Sequence, residues 1–258
     1  IDGDTDRVPF GVGTFGSRSA ATGGTALRLA TLKIIDKGKR IAAHLLESAA
    51  GDITFENGHF VVTGTDRAAS LAEVAAAALT PGRLPQDIEP GLFESGIFTP
   101  EDSTFPYGTH VVEVEIDPET GVVTMARYAV VDDVGVMINP MVVKGQIHGG
   151  IGQGAGQILG ERVVYDPESG QLMTGTFMDY TMPRADDFCH IEIGSLVVPT
   201  KRNPLGVKGT GEAGAVGAMP ALMNAIVDAL ASAGVSALDM PATPERVWRA
   251  LRSAAVAT

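Results

Sequence analysis

Cysteine is almost missing: Cys189 is the only one in 258 residues. One thiol excludes an intramolecular disulfide and is too few for an iron–sulfur cluster or a cysteine-based zinc site. Free cysteine is mostly buried, so Cys189 is expected to be a structural residue leading into a strand, with His190 on that strand's opposite face. Histidine is sparse as well. His44, His59, His110, His148 and His190 show neither H-x-x-H nor H-x-x-x-H spacing, which disfavours zinc. Asp132-Asp133 hints at a hard cation, but no further acids follow at oxygen-ligand spacing. No metal held directly by side chains is expected. A Walker loop, a G-x-S-x-G elbow and a dinucleotide fingerprint after a strand are also absent, so nicotinamide and flavin are not expected on this chain.

Positive charge is in deficit. Nineteen Lys and Arg stand against 31 Asp and Glu, a net charge of −12, which disfavours nucleic acid and anionic membrane surfaces as partners. Long apolar runs are lacking too. The best, Ala213 to Ala233, is broken by Pro220, Asn224 and Asp228, and a membrane span needs about 20 apolar residues. No membrane span is expected. Ile1-Asp2-Gly3-Asp4 is acidic, lacks an initiator Met and leads into no apolar core. It reads as the inside of a larger polypeptide without a signal peptide, and the cytoplasm is the expected compartment.

What the chain has is glycine, 32 residues of it, on an otherwise ordinary globular composition of 45% hydrophobic and 19% charged residues. The glycines cluster. Gly206-Val207-Lys208-Gly209-Thr210-Gly211-Glu212 sets one carboxylate in a loop through which backbone can approach a ligand closely. Glu212 is either a base acting on a bulky polar ligand or a solvated acid ahead of a helix, where negative charge is mildly favourable. Gly145 to Gln157 (G-Q-I-H-G-G-I-G-Q-G-A-G-Q) reads either as close helix packing or as a surface whose Gln153 amide donates and accepts at once. Gly11-Val12-Gly13-Thr14-Phe15-Gly16-Ser17-Arg18-Ser19 runs into Thr22-Gly23-Gly24-Thr25 at the mouth of a helix. Free N–H groups there suit an anion, or simply a capped helix start.

Between these segments, periodicity predicts a mixed order of elements. An extended lead of residues 1–19 precedes a helix from Gly24 to Ala50 with the stripe Leu27, Ala30, Ile34, Ile41 and Leu45. A hairpin of 53–55 and 59–62 turns at Asn57-Gly58. Ser70 and Glu73 form a capping box opening a short Ala-rich helix. Residues 81–106, rich in Pro, Gly and acids, read as a long connection between two subdomains. Strands are expected at Thr109–Ile116, Val122–Asp132, Glu161–Tyr165, Leu172–Phe177 and Ile191–Val198. Two D-P-E-[TS]-G turns join strand pairs. Helices are expected at Val142–Leu159, Pro220–Ser232 and Pro244–Ala255, the last capped by Thr243. This is an α+β fold, mixed sheets with packed helices in two subdomains.

The three glycine segments, in this order, resemble the C-terminal molybdenum-cofactor-binding region of the xanthine dehydrogenase, aldehyde oxidase and carbon monoxide dehydrogenase large-subunit family. Supporting stretches are Val112 to Gly121, Asp132-Asp133-Val134-Gly135, Ile138-Asn139-Pro140 and Asp179-Tyr180-Thr181-Met182-Pro183. The resemblance runs from about Gly3 to Ala231. It implies that residues 1–258 are the second cofactor-binding domain of a larger subunit of a molybdenum hydroxylase. Its substrate would be an aldehyde, an N-heterocycle or a similar small molecule.

By the resemblance, Glu212 takes a proton from a metal-bound hydroxyl, and Gln153 faces the molybdenum. The pterin cofactor, alone or as its cytosine dinucleotide, would be held by Phe15, Gly16, Ser17, Arg18, Ser19, Gly152, Gln153, Lys208 and Gly211. Arg18 stays open between cofactor and a structural ion pair, and Lys208 between a solvated lysine and one that steadies the loop. The implied partners are the rest of the molybdenum subunit and the iron–sulfur and flavin (FAD) subunits or domains, with those two cofactors on the partners only. A copper-binding cysteine loop, where one exists, would lie on the missing half. The alternative is a non-catalytic module that grips pterin or assembles a complex.

Overall fold

A computed structural model describes residues 4–8, 11 and 13–257. The acidic start Ile1-Asp2-Gly3 and Val12 of the first glycine segment lie outside the described residues. The chain divides into two compact units, residues 22–101 and residues 1–21 with 102–258.

In the smaller unit, helix α1 (Ser19–Leu45) supplies Ile41, Ala42 and Ala43 to a core closed by the antiparallel strands β1 (Ile53–Glu56), β2 (His59–Val62) and β3 (Ala68–Ser70) and by helix α2 (Leu71–Ala78). Asn57 and Gly58 both have positive φ (49° and 79°), the paired left-handed dihedrals of the predicted tight turn. The Ser70–Glu73 capping box is present in both directions. Helix α1 runs from Ser19 to Leu45, about five residues earlier at both ends than its periodicity suggests. Gly23 and Gly24 lie inside it. It stops where Glu47 turns left-handed (φ 48°) and Ser48 N–H reaches back to the Ala43 carbonyl. That is a helix stop normally signalled by glycine, which this sequence does not supply. Leu27 of the predicted stripe is 69% exposed. Strand β3 carried no periodic signal because it is only three residues long. Residues 81–101 hold no regular element, as expected of a connection, but Leu84, Ile88 and Leu92 fold back onto the unit's core.

The larger unit is built on β4 (Tyr107–Ile116), β5 (Val123–Asp133) and β6 (Ile191–Ser195), in that spatial order. The first pair is antiparallel with a register shift at Glu113/Val114, and β6 joins β5 in parallel. One face of this mixed sheet carries Met125, Tyr128 and Val130 into the core, with Val112 and Val114 packed against it. Helices α3 (Pro140–Leu159), α4 (Ala213–Ala231) and α5 (Pro244–Ala257) complete the unit. The α3–α4 crossing is tight because glycines meet there. A Cβ on Gly150 would sit 2.8 Å from Ala215 N, and one on Gly214 would sit 2.5 Å from the Ile147 carbonyl oxygen.

Three expectations need correction. Helix α4 begins at Ala213, not Pro220, and Pro220 lies inside it. An interior proline costs about 3 kcal/mol, but Pro220 sits on the exposed face while Ala218, Leu222, Ile226 and Leu230 are buried along the other. That buried stripe carries the helix through the proline. The Glu161–Tyr165 and Leu172–Phe177 strands do not form; only a single Tyr165–Leu172 bridge marks the turn, although the turn itself is built around Asp166 as predicted. Val163, Tyr165, Leu172 and Met173 are exposed, and a lone hairpin with no buried face is marginal. Strand β6 ends at Ser195, because Val198 N–H turns away to donate to Asp133.

By length and composition alone α4 is apolar enough to cross a membrane. Its buried stripe instead makes it the core helix of this unit. Cys189 packs against the same core, and His190 beside it is exposed.

Candidate functional site

The loop after β6 is knitted before it reaches Glu212. Asn203 accepts from the Leu205 and Val207 N–H groups and donates to the Val207 carbonyl. Gly135 and Val207 form a bridge, and Lys208 N–H donates to the Val134 carbonyl at 2.8 Å. Gly135 must be glycine on two counts: its φ is +66°, and a Cβ there would overlap the Gly206 carbonyl oxygen.

Lys208 turns inward. It is 9% exposed, its ammonium donates to Asp133, and it stands 4.7 Å from the centre of the Tyr107 ring. Asp133, 1% exposed, also accepts from Gly135 N–H at 2.8 Å and Val198 N–H at 3.1 Å. Burial pushes the Asp133 carboxyl up. The Lys208 ammonium and the two backbone donors together outweigh burial and hold it below the ordinary carboxylate value. Lys208 is expected above as a cofactor contact or a lysine that steadies the loop; its ammonium is paired with Asp133.

Asp132, the neighbouring residue, places Oδ1 3.5 Å from Nε2 of His110, whose Nδ1 shares a 2.8 Å hydrogen bond with the Tyr128 hydroxyl. Burial first, and then the Asp132 charge, push the Tyr128 phenol far above its usual range. The His110 ring lies against α4, where a Cβ on Gly217 would overlap it. Adjacent residues of a strand point opposite ways. Thus Asp133 grips the chain four residues before Glu212, while Asp132, through His110, abuts it five residues after.

Glu212 is the N-cap residue of α4, yet its side chain makes no cap hydrogen bond. It turns to the first glycine segment instead. Ser17 Oγ donates to Glu212 Oε2 at 2.8 Å and accepts from Glu212 N–H at 3.0 Å. Gly209 and Gly211 fold around this contact: a Cβ on Gly209 would lie 2.6 Å from Ser17 Cβ, and one on Gly211 3.3 Å from Ser17 Oγ. The structure therefore joins two segments 195 residues apart in sequence. Glu212 itself is exposed rather than enclosed.

The other predicted residues are placed unevenly. Gly16 has φ +58° and open space around it. Phe15 is exposed and lies beneath the Arg18 guanidinium at 4.6 Å, and Ser19 opens α1 with its hydroxyl 2.7 Å from that of Thr14. Gln153 is exposed on α3, whereas Gly152 is half-buried, with Phe188 3.8 Å from where its Cβ would be. The α3 amide beside the Glu212 loop is Gln146, which sequence reading had not singled out; its Nε2 is 3.7 Å from where a Gly211 Cβ would be. Gln153 follows seven residues later on the same side, about 10 Å along the axis. Spacing alone marks these two amides as sharing a face.

The donor set is of one kind. Exposed amides on Gln146 and Gln153, hydroxyls on the Thr14–Ser19 segment and glycine-lined backbone suit a polar, hydrogen-bonding ligand. Among the described residues, no group of three or more His, Cys, Asp or Glu could hold a metal ion. The amides, hydroxyls and open backbone fit the polar edge of a pterin. In the smaller unit, a groove of about 570 Å³ is lined by Lys33, Asp36, Lys37, Arg40, Asp87 and Glu94. Two ion pairs, Arg40–Asp87 and Lys37–Glu94, lie along it, Lys33 donates to the Ser95 carbonyl, and it holds none of the predicted residues.

The molybdopterin cofactor-binding domain model matches residues 1–189. The carbon monoxide dehydrogenase large chain of Hydrogenophaga pseudoflava is 40% identical over 252 residues, which are 97% of this chain and 31% of the relative. A putative xanthine dehydrogenase molybdenum-binding subunit of Escherichia coli (strain K12) is 31% identical over 95% of this chain and 32% of its own length. Among solved structures, the Cu,Mo-CO dehydrogenase in its carbon monoxide reduced state superposes with a TM-score of 0.87 at 35% identity, covering 99% of this chain and 32% of that one. The chain thus spans about a third of the length of these relatives. On this combined sequence and structural agreement, the chain belongs to the molybdopterin cofactor-binding domains of the xanthine dehydrogenase, aldehyde oxidase and carbon monoxide dehydrogenase family of molybdenum enzymes.

Proposed function

We propose that this chain is the second cofactor-binding domain of a molybdenum hydroxylase large subunit, with Glu212 as the active-site base. The observation that carries the reading is the position of Glu212. It stands at the meeting point of two of the three glycine segments and is held by a residue of another segment instead of capping its own helix. The bound molybdenum–pterin cofactor, alone or as its cytosine dinucleotide, supplies the two-electron oxidation and the activation of water.

The residues of this chain do the rest. Glu212 accepts a proton at a carboxylate oxygen and hands it on to solvent. Gln153 and Gln146 offer amide N–H and C=O groups to the cofactor's polar edge. Gly16, Gly152 and Gly211, with Ser17 and Ser19, let backbone come close to it. Phe15 and Arg18, stacked on each other, border the same surface. The other wall of the site and the substrate-selecting residues belong to the rest of the large subunit. Iron–sulfur and flavin partners drain the electrons, and the substrate is a small aldehyde, N-heterocycle or similar molecule.

Replacement of Glu212 by Gln in the complete enzyme tests this. A general base contributes about 10²–10⁴-fold, so turnover should fall by that factor while molybdenum and pterin contents stay at wild-type levels. A few-fold loss would remove Glu212 from the chemistry and favour a module that only binds cofactor.

A further inference from the structure

Ser17 has a backbone conformation that its residue type disfavours. Its φ is +54°, directly after Gly16 at +58°, two left-handed residues in succession. Glycine takes this conformation freely, whereas a residue with a Cβ is strained in it. If the segment needed only a turn, glycine would serve at position 17 as it does at 16. Strain at one residue asks what its side chain gives in return. Here the hydroxyl makes two hydrogen bonds, both to Glu212. It donates to Oε2 at 2.8 Å and accepts from the backbone N–H at 3.0 Å. The first bond sets the carboxylate plane, and the second sets where the backbone beneath it lies.

The surroundings show that this contact is built in from both sides. Gly209 passes so close that a Cβ would lie 2.5 Å from the Ser17 carbonyl oxygen and 2.6 Å from its Cβ. Oε1 of Glu212 has no hydrogen-bond partner among the described residues. A hydrogen bond from a hydroxyl to a carboxylate is charge-assisted and directional. With Oε2 engaged by Ser17, Oε1 is the carboxylate oxygen left without a partner, and a residue 195 positions away holds the carboxylate that carries it.

We infer that Ser17 is a positioning residue for Glu212: it clamps one carboxylate oxygen and aims the other at the site of proton transfer. This assigns the Ser17 hydroxyl a task beyond the backbone approach to the pterin proposed above, and it rests on the reading of Glu212 as the base. The strained backbone at Ser17 is what brings its Oγ to both Oε2 and the Glu212 N–H.

The test is a double-mutant cycle in the complete enzyme. It combines Ser17→Gly, which relaxes the backbone while deleting the hydroxyl, with Glu212→Gln, and uses Ser17→Ala as a second deletion. A hydrogen bond to a charged group corresponds to roughly 10- to 100-fold in rate. Ser17→Gly should therefore lower kcat by about that factor, with KM and the molybdenum and pterin contents unchanged. In the Glu212→Gln background the same change should alter kcat less than about twofold, because the group it positions is gone. Crystal structures of Ser17→Gly should show the Glu212 carboxylate displaced or in several conformers.

Wild-type kcat in Ser17→Gly would overturn the clamp, as would an equal loss in both backgrounds. Loss of pterin from Ser17→Gly would return Ser17 to the cofactor cradle. If Glu212→Gln proves nearly harmless, the base reading fails by itself. The crystal structures then decide the clamp alone, and an unmoved Glu212 carboxylate overturns it.

Discussion

Lys208 and Asp133 show how a residue's task changes once its surroundings are known. In the sequence Lys208 is a lysine in a glycine loop, and an anion is the natural partner to expect. In the fold that anion is Asp133, from a strand 75 residues away. Removing one partner of a buried pair leaves the other charged and unsolvated, which costs about 3–5 kcal/mol. Asp133→Asn should therefore lower unfolding stability by about that amount in chemical denaturation. Asp133→Asn with Lys208→Gln should recover much of it, and equal losses in single and double variants would show that the pair does not hold the loop. The pH dependence has a definite sign. Against the effect of burial, the Lys208 ammonium and the two backbone donors hold the Asp133 carboxyl below the ordinary aspartate value, about 4. Its contribution is complete above about that value and fades as pH falls through the lower folded value. The acid limb of stability below about pH 4 should flatten in the double variant.

Cys189 makes the complementary case. It is half-buried against the core, and Cys189→Ser should leave molybdenum content and activity of the complete enzyme within a few-fold. Loss of the metal in that variant would place the active site elsewhere.

At the scale of elements, helix α3 shows what a glycine count conceals. Four of its six glycines fall into two contrasting sets. Gly150 and Gly154 lie against α4, where a Cβ on Gly154 would be 2.9 Å from that of Ala218. Gly145 and Gly149 have nothing within 4 Å. The two sets predict opposite outcomes. Gly150→Val should force the helices apart and cost the chain its cooperative melting transition. Gly149→Ala should raise stability by about 0.5–1 kcal/mol, the helix-propensity gain of alanine over glycine. Thermal melting of the two variants checks both, and a stabilised Gly150→Val would contradict the crossing. The open face also explains why α3 needs its cap. Asn139 accepts from the N–H groups of Met141 and Val142, with Pro140 at the first turn, which offsets part of the weakness of so many glycines.

At the scale of the whole molecule, the proposed site can be weighed against the extent of the chain. The chain spans 31–32% of its relatives, and Glu212 is exposed on its surface instead of enclosed. On the proposed reading of Glu212, a base needs its cofactor, its substrate and exclusion of water, and an exposed Glu212 would need further walls to complete that enclosure. The isolated chain, supplied with extracted cofactor and a dye acceptor, should show no detectable oxidation of aldehydes or N-heterocycles, whereas the complete enzyme should turn over. Turnover at normal rates by the chain alone would overturn that division of labour.

How far the sequence reached depends on whether a signal is local. The Asn57-Gly58 turn, the Ser70–Glu73 capping box, the two Asp-Pro-Glu turns and the Thr243 cap are short-range hydrogen-bond patterns, and each was legible from its own few residues. The three glycine segments, and Glu212 within one of them, were legible for the same reason, and their order was enough to indicate the family. What the sequence could not show depended on contacts between residues far apart. The extension of α4 through Pro220 rests on the core that buries its other face. The missing strands at 161–177 lack any surface to cover. The inward turn of Lys208 needs Asp133, the pairing of Ser17 with Glu212 needs 195 residues of intervening fold, and Gln146 stands beside Gly211 only because α3 and α4 cross at their glycines. Composition, spacing and local hydrogen bonding thus determined which residues were candidates. Only tertiary structure decided which of them meet, because burial and directional hydrogen bonds between distant segments exist only once the chain has folded.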